Sequence, residues 1–550
     1  MNLTNQIKDS LKQVVLELQN NNYFDTAFKV DDLVFLLSEP NIPKEKLGSE
    51  IEFDFSTNLA FILKKYKQTS PLNIANDLKL KLEKLDLFEV VFVTTPGFVN
   101  FVLKNSVLNH ILKNIIITNK KYGANFVKKE KINVEYVSAN PTGFLHVGHV
   151  RGAIFGDSLI RILRHAGHEV EAEYYVNDAG NQINILANSV LIRYKELFGF
   201  NEIMPQDSYH GEDIIWVAKE IKAKYHDYFL NDFNSKQEEL KSLATNLLLE
   251  RIKSDLARIN VTFDTFSSEK ALTENNLINP VLEKLKLHTY IKDQALFLNT
   301  TKFGDDKDRV LIKNDGKYTY LTPDIAYHET KLKKSDRLIN VWGADHSGYV
   351  ARMKISLQAL GYNQAKIDIL IMQLVRLLKN GQEFKMSKRA GTSVTLTDLL
   401  EVAKSDAIRF GMLTREISSQ YDFNIDQANL MDTSNPVYNV QYAHARTVSL
   451  RNNLKPFLLD LNNSVTPKAR KVILALDEFP DLLATIVKTS KVNLLTQYLI
   501  NLTNLFNSFY AQTRLINHPQ ETYYSALALS VQIVLRLGLN LLGVSAPNLM

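Results

Sequence analysis

The sequence predicts an α/β protein: a parallel central sheet preceded by an α+β segment and followed by an all-helical one. Three observations carry this. Apolar strand-like runs alternate with amphipathic helical patterns from Ile132 to Met372, the rhythm of βαβ units. A charged, helix-rich stretch at about 201–301 breaks that rhythm, as an inserted domain does. Beyond Arg415 the strand-like runs stop and helical periodicity continues to the end.

With 550 residues the chain has room for about three domains and a substantial core. The expected divisions are 1–120, 121–430 and 431–550, with the insertion inside the second. Hydrophobic residues are 45% and charged residues 23% of the chain, the balance of an ordinary soluble globular protein. There is no cysteine, which excludes disulfides, thiolate zinc sites and a cysteine nucleophile. The first residues lack a basic stretch followed by an apolar core, so no secretory signal is expected and a cytoplasmic location is the default. The longest apolar run, from Ser525 to Val544, is interrupted by Gln532, Arg536 and Asn540 and reads as a buried helix, not a membrane span. From Pro436 onward ten Lys and Arg face five Asp and Glu, whereas the first 120 residues balance at fourteen each. That excess suits contact with a polyanion, although a difference of this size is also common on solvated helices.

In chain order, Ile7 to Asn20 reads as a helix, and Phe88–Val93 and Phe98–Leu103 read as strands around the turn Thr94–Gly97. Lys120 to Lys131 carries five Lys, one Glu and Gly123, and reads as a linker. Ile132–Val137 is a strand, Val150–His165 a helix ending at Gly167, Glu169–Val176 a strand, and Asn181–Phe198 a helix. After the insertion the pattern resumes at Arg309–Ile312, Leu338–Trp342 and Ile367–Met372. The final segment is helical throughout, most clearly at Ala443–Val448, Leu494–Ala511 and Ser525–Leu542.

Between the strand Ile132–Val137 and its helix lies Ala139-Asn-Pro-Thr-Gly-Phe-Leu-His146-Val-Gly148-His149. A strand, a small-residue turn and a helix start make an anion site, because the free N–H groups and the positive helix end attract phosphate. His146 and His149 are three apart, on one face, so both can donate to one phosphate. Gly148 between them would let a base or ribose approach the backbone. Far downstream, Phe384-Lys385-Met386-Ser387-Lys388-Arg389-Ala-Gly-Thr392 places two lysines three apart in a Ser/Gly/Thr-rich loop, which suits closure over a triphosphate.

HxGH followed by KMSK resembles the paired signature of class I aminoacyl-tRNA synthetases, whose motifs read HIGH and KMSKS. Glu135-Tyr-Val-Ser-Ala-Asn140-Pro-Thr-Gly, Glu173-Tyr-Tyr-Val-Asn-Asp-Ala-Gly-Asn-Gln182 and Trp342-Gly-Ala-Asp-His-Ser-Gly-Tyr349 are similar to the arginyl-tRNA synthetase form. The likeness runs from Pro96–Phe101 to Gly543–Met550. It implies a Rossmann-type catalytic domain, an N-terminal domain that contacts the tRNA elbow, and a C-terminal all-α anticodon-binding domain. The implied reaction is ATP-dependent attachment of L-arginine to tRNA(Arg) through an arginyl-adenylate, releasing AMP and pyrophosphate. The resemblance further implies that pyrophosphate exchange requires tRNA.

Activation is displacement at the ATP α-phosphate by a carboxylate, so positioning and electrostatics carry catalysis and no covalent nucleophile is needed. By resemblance the catalytic set is His146, His149, Lys385 and Lys388, with Lys388 the transition-state contact. Gly148, Asp345, His346, Met386 and Ser387 complete the implied ATP site. Arg389 stands where the family motif has Ser, which leaves that position's role open. Mg²⁺ should accompany ATP, held by phosphates and water rather than by a protein cage; no protein metal ligand and no zinc are expected. For arginine, a guanidinium calls for carboxylates and planar acceptors, and resemblance assigns Asn140, Glu135, Tyr320 and Asp324. Thr322 reads as a helix N-cap with Pro323 as the first helical residue, putting Asp324 in a first turn. The macrodipole alone also favours an Asp there, and Glu135 reads equally as a strand-end surface charge.

Gln441, Tyr442 and Arg446 share one helical stretch and are candidates to stack or bond anticodon bases; ordinary helix packing explains each of them equally well. The expected partners are tRNA(Arg), L-arginine and ATP, with no membrane, and a monomer is expected. Other readings are a class I relative charging another amino acid, a nucleotidyltransferase of the same superfold, and a non-enzymatic RNA-binding paralogue. Chain length and the retention of all four motif residues count against the last two.

Overall fold

The computed structural model describes residues 3–40, 52–231, 233–384, 394–457 and 465–550. The N-terminal domain begins with α1 (Leu3–Asn20), whose Ile7, Leu11, Val14, Val15 and Leu18 recur at helical spacing and are buried. After it come β1 (Leu37–Ser38), β2 (Phe55–Thr57), α2 (Leu59–Leu63), α3 (Pro71–Leu82), β3 (Phe88–Thr94), β4 (Phe98–Leu103) and α4 (Asn105–Thr118). The strands form an antiparallel sheet in the order β1-β2-β4-β3. Ser70 caps α3 by accepting from the Asn73 N–H, and Pro71 opens the helix where its missing donor costs nothing.

The middle of the chain supplies β5 (Lys131–Glu135), α5 (Val147–Ala166), β6 (Glu169–Val176), α6 (Asn181–Glu196), α7 (Glu212–Tyr225), α8 (Phe233–Arg258), β7 (Thr265–Ser268), α9 (Glu269–Glu274) and α10 (Ile278–Leu285). There follow β8 (Thr289–Lys292), β9 (Ala295–Leu298), β10 (Arg309–Ile312), α11 (Leu321–Leu332), β11 (Arg337–Gly343), α12 (Val350–Ala359) and β12 (Ile367–Met372). The central sheet is wholly parallel, in the order β12-β11-β5-β6-β7. From β5 the chain winds outward through β6 and β7, then returns to lay β11 and β12 on the other side. The winding direction therefore reverses between β5 and β11, and a ligand crevice belongs at the carboxyl ends of those two strands. Helix α5 lies hard against the sheet because a Cβ on Gly156 would come within 2.3 Å of the Tyr136 ring.

Three strands depart from the sequence reading. β7 falls within the stretch read as purely an insertion, yet it is the edge strand of the parallel sheet, pairing Glu173 with Thr265. Its sequence Thr-Phe-Ser-Ser has no apolar run to mark it. β10, read as a resumption of the parallel pattern, instead joins β8 and β9 in an antiparallel sheet; a four-residue apolar run does not reveal its partner. Past Arg415, where strands were expected to stop, β15 (Tyr421–Asn424) pairs parallel with β13 (Val375–Lys379), which also carries β14 (Gln382–Glu383) antiparallel on its other edge. Helices α6, α7 and α8 bury a hydrophobic cluster of their own, including Leu186, Tyr194, Ile214, Val217 and Phe229, which is how an inserted helical unit stabilises itself.

Short helices α13 (Leu396–Val402), α14 (Ser405–Met412) and α15 (Ile425–Ala428) lead to the C-terminal bundle of α16 (Pro436–Asn453), α17 (Pro467–Asp477), α18 (Phe479–Thr489), α19 (Asn493–Gln512) and α20 (Glu521–Leu541). α20 is long and apolar enough to cross a bilayer, but 83% of its apolar window is buried inside the protein. One continuous core joins this bundle to the central sheet and to the N-terminal domain. Two buried guanidinium groups stitch it. Arg409 donates to Leu542 O at 2.9 Å and Ile259 O at 2.6 Å and pairs with Asp157 on α5. Arg470 on α17 donates to Asp54 Oδ1 at 2.9 Å, makes a second contact to the same carboxylate, and donates to Leu103 O at 2.7 Å.

Candidate active site

The crevice at the sheet's switch point is a cavity of about 670 Å³, a volume that fits a small-molecule substrate pair. Its first wall is the end of β5. After Glu135 the chain makes a tight turn in which the Ser138 N–H donates to Tyr136 O at 2.9 Å around Val137. Val137 has φ +67° and Ser138 φ +42°. A β-branched residue in that region is strained by about 1–3 kcal/mol and persists only where its surroundings enforce it. Here the Tyr175 N–H donates to Ser138 Oγ, which in turn donates to Glu135 Oε1, each at 3.1 Å. The turn delivers Ser138 and Asn140 to the cavity. Asn140 is exposed and its Nδ2 donates to Gln182 Oε1 at 2.7 Å.

His146 is the N-cap of α5: its Nδ1 accepts from the Gly148 N–H at 3.1 Å. Nε2 therefore carries the ring proton and is the atom available to donate. The His146 and His149 rings lie 3.8 Å apart, centre to centre. Burial lowers both imidazoles, taking His149 to about 3, with His146 beside it adding to the shift. Both rings are neutral at physiological pH and act as dipolar donors, not as cations. His149 Nδ1 is buried without a hydrogen-bond partner among the described residues. Gly148 lines the cavity and has a further reason of its own: a Cβ there would sit 2.8 Å from the His146 ring, so glycine makes room for the imidazole.

The opposite wall comes from α11 and β11. Helix α11 starts at Leu321 with Tyr320 as N-cap residue, and Thr322 Oγ1 donates to Leu311 O at 2.7 Å instead of capping. The start lies two residues earlier than read, but Asp324 remains in the first turn and lines the cavity. Tyr349 Oη donates to Asp324 Oδ2 at 2.8 Å. Burial raises the Asp324 carboxyl to about 7; Tyr349 opposes that shift, while Glu135 and Glu269 reinforce it. Tyr320 is 86% exposed and does not line the cavity; the tyrosine on Asp324 is Tyr349. Glu135 is buried rather than a surface charge, and Lys331 Nζ donates to its Oε2 at 2.6 Å. Asp345 and His346 line the far end, where they pair at 3.4 Å, largely exposed. No Lys or Arg lines the cavity among the described residues, nor do three His, Cys, Asp or Glu side chains there converge on a metal position.

Lys385, Met386, Ser387, Lys388 and Arg389 lie outside the described residues. The residues that follow them, from Val394 to Leu396, meet the histidine motif directly. The Val147 N–H donates to Val394 O at 2.9 Å, the Leu396 N–H to Leu145 O at 2.8 Å, and His146 forms an isolated bridge with Thr395. The histidine motif and residues 394–396, far apart in sequence, are thereby joined by backbone. Buried Arg151 on α5 adds a second tie, donating to the carbonyls of Ser419 at 2.6 Å, Glu416 at 2.8 Å and Gln373 at 3.3 Å.

In α16 the three tRNA candidates separate. Gln441 is buried and donates to Asp406 Oδ2 at 2.8 Å and Ser545 O at 2.9 Å, so it ties the bundle to the segment after α20. Tyr442 stacks parallel to Tyr438 at 5.9 Å, and Arg446 lies over the Tyr442 and Tyr510 rings at 4.7 and 5.0 Å. All four side chains are half-buried. Sequence reasoning also missed Lys331, His328 and Tyr327. They sit on the Asp324 face of α11 at three- and four-residue steps, a polar stripe on a buried face that was there to be read.

Cavity position, the histidine pair and its backbone bonds to residues 394–396 fit a class I aminoacyl-tRNA synthetase architecture. Comparison narrows the class. The family model for "tRNA synthetases class I (R), catalytic domain" matches residues 111–447, the arginyl tRNA synthetase N terminal domain matches 1–103, and the DALR anticodon binding domain matches 440–550. The arginine–tRNA ligase of Bacillus subtilis is 40% identical over 571 aligned positions, with 100% of both chains covered. That of Metamycoplasma arthritidis is 43% identical over 514, covering 90% of this chain and 94% of its own. The Thermus thermophilus arginyl-tRNA synthetase structure shares the fold, with TM-score 0.74 at 22% identity and 100% of both chains covered. The chain belongs to the arginyl-tRNA synthetase family.

Proposed function

We propose that this chain joins L-arginine to tRNA(Arg) in two steps. The arginine α-carboxylate attacks the ATP α-phosphorus, forming the acyl–phosphate bond and breaking the bond to pyrophosphate. A terminal ribose hydroxyl of the tRNA then attacks the arginyl-adenylate carbonyl and releases AMP. The observation that carries this reading is the polarity of the cavity: Glu135, Asp324 and Asp345 line it with no cationic side chain among the described residues. An anionic pocket selects a cationic side chain, and Asp324 with its Tyr349 donor is the guanidinium partner. Asn140 and Glu135 hold the amino-acid backbone. His146 and His149 donate to the phosphates as neutral imidazoles, with Gly148, Asp345 and His346 around the nucleotide. Lys385 and Lys388 supply the positive charge that the cavity walls lack, with Met386 and Ser387 between them at the nucleotide. Mg²⁺ enters with ATP on its phosphates. Tyr442 and Arg446 present stacking and charged faces to unpaired anticodon bases. The domains divide near residues 120 and 430, and the enzyme works as a cytoplasmic monomer.

The test is ATP–pyrophosphate exchange with each amino acid in turn, with and without tRNA. Exchange with arginine alone among the amino acids, and only when tRNA is present, is expected. Exchange driven by a neutral amino acid would overturn the assignment.

A further inference from the structure

Behind the cavity wall runs a hydrogen-bond chain that ends on Glu135. His328 is buried, and its Nδ1 lies 2.8 Å from Asp324 O. A carbonyl only accepts, so Nδ1 carries the proton and Nε2 must accept, which it does from Asn340 Nδ2 at 2.9 Å. The Asn340 amide is thereby oriented with Oδ1 toward Lys331 Nζ, 2.9 Å away. Lys331, 3% exposed, donates its next proton to Glu135 Oε2 at 2.6 Å and lies 4.6 Å from the centre of the Tyr327 ring. From Lys331 the donors run one way to Asn340, His328 and the Asp324 carbonyl, which fixes the order of protons, and the other way to Glu135.

We propose that Lys331 is a positioning residue for the amino-acid substrate: its buried ammonium holds the Glu135 carboxylate in a single orientation for the substrate's ammonium group. The two cavity carboxylates are then built for different tasks. Glu135 is hydrogen-bonded to a fixed cation, whereas the side chain hydrogen-bonded to Asp324 is the neutral Tyr349. The remaining charged or titratable groups that interact with Glu135 are Asp324, Tyr175 and Tyr327, the last also hydrogen-bonded to Glu173. None is a cation, so nothing else among these groups replaces Lys331. Burial keeps His328 neutral, its imidazole lowered to about 3, which preserves the proton order the chain requires.

This inference rests on the arginine reading of the cavity. The test compares Lys331→Met, Glu135→Gln and the double variant in tRNA-dependent pyrophosphate exchange from pH 6.5 to 9, with melting temperatures alongside. Without the ammonium, the buried carboxyl takes up a proton. Lys331→Met should raise the arginine KM about tenfold or more at pH 7, with partial recovery toward pH 9 and the ATP KM nearly unchanged. Should Lys331→Met fold poorly, the double variant removes both charges together, and its arginine KM should equal that of Glu135→Gln alone. An unchanged arginine KM, equal rises for arginine and ATP without pH dependence, or a double variant clearly worse than Glu135→Gln would make Lys331 merely structural. Loss of arginine exchange in the unmodified protein would overturn the arginine reading and this inference together.

Discussion

Asp324 is where the physics of single residues is sharpest. Its carboxyl is raised from 3.8 to about 7, so the folded protein holds this proton more tightly than the unfolded chain does. The group's contribution to stability is present in full below pH 3.8 and is lost as the pH rises through about 7. Arginine binding has the opposite dependence, because a guanidinium pairs with the ionised form. We expect the arginine Kd to worsen by about tenfold per pH unit below 7 and to level off above it. Calorimetry in two buffers of different ionisation enthalpy should register proton release near pH 7. Asp324→Asn should abolish the pH dependence and weaken arginine by roughly 30-fold or more, since deleting one partner of a buried charge pair costs about 2–5 kcal/mol. An unchanged KM would reduce Asp324 to a helix-start residue. For Lys388→Ala we expect a fall of roughly 10²–10³-fold in the activation rate with little change in substrate affinity, the signature of a contact made only in the transition state. Stopped-flow activation kinetics separate that from a rise in ATP KM at constant kcat, which would assign the loop to ground-state binding.

At the scale of elements, the packing of α5 fixes where the histidines sit. Gly156→Ala would push a methyl group into the Tyr136 ring. The helix would have to lift off the sheet, at a cost of about 1–3 kcal/mol. The predicted result is a lower melting temperature together with a raised ATP KM, because His146 and His149 ride on the same helix. An activity loss without destabilisation would show that α5 tolerates the shift. Helices and central strands were largely legible from sequence for the same reason that this packing matters: long apolar periodicity survives reading without a structure. β7, β10 and β15 were misread because four residues carry too little pattern to name a partner strand. Among site residues, Glu135, Asn140, His146, His149 and Asp324 reach the cavity, each from a motif at a strand end or helix start. Lys331 and His328 were legible only as a stripe in step with Asp324, since a Lys and a His on a helix otherwise look solvated. Tyr320 lies outside the cavity lining, and its place before α11, four residues from Asp324, says nothing about which way its ring points.

Across the whole molecule, the core continues from the N-terminal sheet through the catalytic helix to α20. Arg470→Met would leave Asp54, 8% exposed, as a buried and unpaired carboxylate between the outer domains. Breaking one side of such a pair costs about 3–5 kcal/mol, so chemical denaturation should report a large loss of stability. A loss below about 1 kcal/mol would mean that water reaches the Asp54 carboxylate. Removing residues after Asn435 is a poor probe of tRNA recognition, since α5 itself leans on Leu542 through Ser158 and Arg409. The cleaner probe is Arg446→Ala with Tyr442→Ala, which should weaken tRNA charging while tRNA-saturated pyrophosphate exchange keeps its arginine KM. A parallel rise in that KM would place these side chains in a structural role.

The shared core also decides how this molecule fails. The N-terminal sheet, α5 and the C-terminal bundle share one core, so heating should melt these three together, whereas α6, α7 and α8, with a cluster of their own, can open separately. In a cell this makes damage indivisible. A lesion that unseats the packing of the bundle, unlike the loss of a surface tRNA contact, does not leave a weakened enzyme that keeps making adenylate. It lowers the number of intact molecules, and quality control removes the rest.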